Sequence, residues 1–135
     1  MKKRIVTGVA LSLAAGAVIG IAAMVPSADV CAAETQLSFA EDVLPIFRGR
    51  CISCHQPGGP GLEKSGLDLT TYEGLMKGTK FGPMVIPCSP DASNLIWLLD
   101  WRAKPELRMP HGKKQLSICD RDAIRNWIRQ GAKNN

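Results

Sequence analysis

The sequence is short of the residues on which most catalysis is built. It has two histidines in 135 residues, no nucleophile set beside a base, and no glycine-rich loop to cradle a phosphate, which leaves hydrolytic and nucleotide-driven chemistry without a footing. It lacks runs of alternating or β-branched residues, so nothing reads as a strand and a βαβ unit is excluded. The excess of positive charge is modest, a formal +5 of which Lys2, Lys3 and Arg4 supply three. Nucleic acid is therefore not an expected partner.

What the chain does have begins with an export pattern. Lys2, Lys3 and Arg4 precede an apolar run from Ile5 to Val25, Pro26 breaks it, and small residues at Cys31, Ala32 and Ala33 follow. This predicts a signal peptide over residues 1–33, cleaved after Ala33, and a periplasmic domain over 34–135. The run is also long enough to span a bilayer, so a retained anchor is the alternative, and contact with a membrane is expected only in that case. One compositional register and 45% hydrophobic residues suit a single globular domain, expected to be a monomer.

Within that domain the stretch "CISCH" stands out, with Cys51, Cys54 and His55 together. A structural zinc site needs four ligands, and the remaining candidates, Cys88, Cys119 and His111, are not paired at zinc spacing. A redox dithiol needs strands that the chain does not offer. Covalent haem attachment needs Cys-x-x-Cys-His and export, and both are present: the two thiols form thioethers with the vinyl groups and His55 is placed to reach the iron. One haem c is the expected cofactor. With Cys31 removed and Cys51 and Cys54 committed, Cys88 and Cys119 form the expected disulfide, two free buried thiols being the alternative.

The second axial position has candidates in Met76, Met84, Met109 and His111. The chain resembles the small monohaem class I c-type cytochromes in "FAEDVLPIF", "CISCH", "QPGGPG", "VIPCSPDASNL", "RMP" and "AIRNWIRQGA". The resemblance spans residues 37 to 132. It implies that Met109, followed by Pro110, is the distal ligand, that the carbonyl of Pro57 fixes the histidine ring, and that the first and last helices cross. Cys88 and Cys119 depart from the family pattern together, which supports their mutual bond. The residues themselves say less: Met109 lies in the irregular, charged "AKPELRMPHGKK", with no helical face to pack on, and His111 stays open as a bis-histidine alternative.

Three helices are legible. Ser38 and Glu41 form a capping box ahead of Phe39, Val43, Leu44 and Phe47, with Pro45 expected to bend or end that helix. Another runs from Ala92 or Ser93 to Trp101. The last is capped by Ser117, buries Ile124, Trp127 and Ile128, and stops at Gly131. Trp97 and Trp127 read as core, Trp127 against Phe39 or Phe47, and Trp101 as a neighbour of a propionate. The fold class expected is all-α, wrapped on the haem. Arg102, Lys104, Arg108, Lys113 and Lys114 oppose only Glu106 over residues 102–114, so partners with acidic docking surfaces are expected. These features describe an exported one-electron carrier rather than an enzyme. The alternatives are an open-site or bis-histidine haem protein, acting as gas sensor or haem enzyme, and an anchored subunit of a larger oxidoreductase.

Overall fold

The computed structural model describes residues 35–135, so the expected export signal lies outside the described residues. The first helical segment opens as Ser38 accepts a hydrogen bond from the Glu41 N–H at 3.2 Å, but the Ser38 N–H donates to Asp42 Oδ2 at 2.7 Å, not to Glu41. The winding is the cause. Phe39–Val43 form a π-helical turn, with the Val43 N–H reaching back to the Ser38 carbonyl at 3.3 Å, and the wider turn brings Asp42 under the Ser38 amide. Helix α1 (Leu44–Arg50) takes over with Pro45 in its first turn, where a missing N–H leaves nothing unpaired. The chain therefore stays helical through Pro45, and the change of winding falls just before it.

Two short helices occupy the loop after the CxxCH turn: α2 (Pro60–Ser65), begun by a proline and ended at Gly66 in the left-handed region, and α3 (Tyr72–Lys77), capped by the Thr71 hydroxyl on the Gly74 N–H. Helix α4 (Asn94–Leu99) ends two residues before Trp101, whose φ is 59°. Helix α5 (Ile118–Arg129) is capped by Ser117 on the Asp120 N–H at 3.0 Å. It ends as anticipated at Gly131, with φ 102° and the Ala132 N–H closing back on the Trp127 carbonyl at 2.9 Å. The described residues hold no strand, only an isolated bridge between Thr79 and Gly82, so the fold is all-α.

Phe39, Val43 and Phe47, at helical spacing, bury one face of the first segment in a core shared with Leu95, Ile96 and Leu99 of α4 and with Ile124, Trp127 and Ile128 of α5. The crossing of first and last helices centres on Phe39, 5.5 Å from the Trp127 ring and edge-on to Tyr72 at 5.3 Å. Such aromatic pairs add about 0.5–1.5 kcal/mol each beyond the area they bury. Their polar ends are satisfied: Tyr72 donates to the Ala132 carbonyl at 2.8 Å and the Trp127 indole to that of Lys133 at 3.0 Å. Asn135 then fastens the beginning of the described chain. Its carbonyl accepts from Ser38 Oγ and from the Ala40 N–H, and its side chain bonds the Phe39 N–H and the Leu37 carbonyl.

Between α4 and α5, Asp100 gathers Arg125 at 2.6 Å, Arg102 at 3.6 Å and Arg121 at 3.8 Å, tying the end of α4 to α5. The fully buried Ser93 pins the preceding loop, accepting from the Ile86 N–H and donating to the Ser89 carbonyl, each at 2.9 Å. With α4 held at both ends, its Leu95, Leu98 and Leu99 form a fixed wall facing the CxxCH turn.

Candidate haem site

The end of α1 delivers Cys51, and the chain turns at once: the N–H groups of Cys54 and His55 both donate to the Cys51 carbonyl at 3.1 Å. The Cys54 carbonyl in turn accepts from Gly61 and Leu62, at 2.8 and 3.0 Å, and so starts α2 directly behind the histidine. That packing leaves no room for a side chain at Gly61. A Cβ there would lie 2.8 Å from the Cys54 carbonyl oxygen and 2.9 Å from both Cε1 and Nε2 of His55.

His55 is buried, and Nδ1 lies 3.1 Å from the Leu67 carbonyl oxygen. A carbonyl only accepts, so Nδ1 carries the proton and Nε2 keeps its lone pair for a metal. The His55 carbonyl also accepts from the Leu69 N–H at 2.9 Å, so residues 67–69 grip both the ring and the backbone. The partner expected for the ring, the Pro57 carbonyl, is replaced by that of Leu67.

Cys51, Cys54 and His55 open onto a cavity of about 760 Å³, within the range of roughly 300–1,000 Å³ for small-molecule and cofactor sites. Leu67, Leu69, Leu95 and Leu99 give it apolar walls, and Met84 and Met109 line it as well. Of the candidate distal ligands, Met84, Met109 and His111 line this space, while Met76 packs against the core without lining it. Met109 is half-buried and His111 is exposed at the mouth. Two thiols, an imidazole with a free Nε2 and two methionines lining one cavity suit a porphyrin iron attached by thioether links. Burial pushes the Cys51 thiol up to about 11, against the smaller opposing pull of Arg50 and Lys113. Conversion to a thioether removes that proton altogether.

Phe81, Trp97 and Leu107, among the most exposed large apolar side chains at 80%, 44% and 54%, all line the cavity. Trp97, read from the sequence as core, belongs to this wall. The Arg102 guanidinium lies 4.5 Å from its ring and also pairs with Asp91 at 3.9 Å. Trp101 directs its indole N–H to the Met109 carbonyl at 2.9 Å, not toward a propionate. Arg50 Nη2 donates to the Lys114 carbonyl at 3.0 Å and so bridges the CxxCH side to the distal loop.

The Cys88–Cys119 bond is not formed. Cys119 is a free, exposed thiol in the first turn of α5, so it is not the partner of Cys88. Distance explains this. The Cys88 N–H donates to the Ile128 carbonyl at 2.9 Å, near the far end of α5. Position 119 is nine residues earlier, about 13 Å along the axis, whereas bridged cysteines have Cα atoms about 4.4–6.8 Å apart.

A family model described as Planctomycete cytochrome C matches residues 51–111, which run from the first attachment cysteine through Met109 to His111. No curated protein and no solved structure matches. Residues 51–111 are thus similar to a cytochrome c domain, and the match begins on the CxxCH string of Cys51, Cys54 and His55, which is compatible with haem attachment. Such a domain is characteristic of electron-transfer haem proteins. Among the described residues no helix is long and apolar enough to cross a membrane.

Proposed function

We propose that this protein carries single electrons through one haem c, joined by thioethers to Cys51 and Cys54 and ligated by His55 and Met109 in the manner of class I cytochromes. The observation that carries this reading is the convergence of those four side chains on one apolar cavity, with Nδ1 of His55 already engaged by Leu67. Bound there, haem c supplies a one-electron Fe(III)/Fe(II) couple. The chain's own part is to hold two ligands still and to exclude water. Leucine walls disfavour the more highly charged oxidised state, and a neutral thioether favours the ferrous one, so both raise the potential relative to a bis-histidine site.

A carrier rather than an enzyme follows from having both axial positions filled by the chain. Residues 34–135 form the haem domain in this reading, exported to the periplasm as a monomer by the signal at 1–33. Its redox partner presents carboxylates to the mouth of the cavity. Lys104, Lys113 and Lys114 are the exposed cations for that docking, while Arg102 and Arg108 stack on Trp97 and Trp101. The second reading, a bis-histidine or open site, draws on the position of His111 at the mouth.

The absorption spectrum of the purified exported protein separates these readings. A c-type reduced spectrum, a methionine-to-iron band in the oxidised protein that vanishes in Met109→Ala, and indifference to carbon monoxide support the carrier. Ready binding of carbon monoxide by the wild type, or an unchanged Met109→Ala spectrum, overturns it.

A further inference from the structure

The distal loop has little to hold it. Over residues 102–114 the regular structure is one short 3-10 turn, Pro105–Leu107, and most side chains are exposed. A thioether ligand must nevertheless enter the cavity at one place and one angle. Both backbone groups of Met109 are tied to the chain that leaves α4: its N–H donates to the Leu98 carbonyl at 3.2 Å, and its carbonyl accepts from Trp101 Nε1 at 2.9 Å.

Trp101 is itself held in an unusual posture. Its φ of 59° lies in the left-handed region, where a bulky side chain is an outlier. Strain of this kind persists only where the surroundings over-determine it. Here the Trp101 N–H donates to the Leu98 carbonyl at 3.2 Å, and the Arg108 guanidinium lies 5.6 Å from the ring. The Leu98 carbonyl therefore accepts from both Trp101 and Met109. The left-handed turn brings the indole to the loop so that its N–H meets the Met109 carbonyl.

We infer that Trp101 is a positioning residue for the distal ligand: its indole N–H fixes the Met109 carbonyl and thereby keeps the thioether on the iron. The inference rests on Met109 being that ligand. Without the indole N–H, Met109 keeps only the bond from its own N–H to the Leu98 carbonyl, its carbonyl side is held less firmly, and an external ligand competes better for the sixth position.

The test uses the haem-loaded exported protein and imidazole as the competing ligand, with the methionine-to-iron band of the oxidised protein as readout. Trp101→Phe removes the N–H. A second variant carrying β-(3-benzothienyl)alanine at position 101 keeps the fused ring and replaces only the N–H by sulfur, which guards against simple misfolding. Imidazole is expected to displace the methionine about five- to tenfold more readily in both, the scale of one neutral hydrogen bond, while the reduced spectrum stays c-type. Unchanged imidazole affinity in the benzothienyl variant overturns the inference, even if thermal stability falls, because a merely structural tryptophan would change only the latter. Absence of the band from the wild type is a different failure, that of the Met109 assignment itself.

Discussion

The imidazole of His55 and the carbonyl of Leu67 are joined across twelve residues of chain by a 3.1 Å hydrogen bond from Nδ1. The bond settles the tautomer and the plane of the ring together, and it makes the loop containing α2 part of the proximal wall. Any strain in that loop is therefore transmitted to the atom that faces the cavity.

Gly61→Ala tests this directly. The added methyl would press on the Cys54 carbonyl and the His55 ring, at 2.8 and 2.9 Å, and overpacking of this kind costs about 1–3 kcal/mol. The variant is expected to unfold at lower urea concentration and to yield less haem-loaded protein, as measured by denaturation and by the ratio of haem absorbance to protein. Wild-type stability and yield in the variant would show that the loop can move away from the histidine.

Asp68, the residue after the histidine's partner, gives an acid signature. The Thr70 hydroxyl at 2.6 Å, and then the Thr70 N–H at 2.8 Å, hold its carboxyl below the ordinary 3.8. A carboxylate favoured by the fold stabilises it fully above the unfolded value, and that contribution is lost as pH falls through the lower folded value. In Asp68→Asn, which takes up no proton, the melting temperature should decline less steeply below about pH 4. Parallel acid curves for the two proteins would remove the effect.

Cys119→Ser should leave stability within about 0.5 kcal/mol of the wild type, because the thiol is free and exposed. Loss of a native disulfide would instead cost about 2–5 kcal/mol. Thermal melts under non-reducing conditions distinguish the two, and a large drop would reinstate the pairing read from the sequence.

The CxxCH string was legible because its parts are contiguous, and the family match over residues 51–111 begins on it. Helix α5 was legible because its cap, apolar stripe and terminal glycine agree, and the contact of Trp127 with Phe39 followed from that stripe. Helix α2 was missed although Pro60 at its start and Gly66 after its end mark it, since the surrounding glycines and prolines read as loop. The partner of His55 was not readable at all. It is a main-chain carbonyl, which every residue possesses, so only the fold selects Leu67 over Pro57. The cysteine pairing failed for a related reason: counting thiols ignores the length of α5.

The clasp formed by Asn135 on Leu37, Ser38, Phe39 and Ala40 brings the two ends of the described chain to one corner, and none of these five residues lines the cavity. Mechanically, a pull on both ends loads those bonds first and works inward through the Phe39–Trp127 contact. The walls around His55 and Met109 sit behind that latch, so tension on the domain must unfasten its ends before it reaches the cavity.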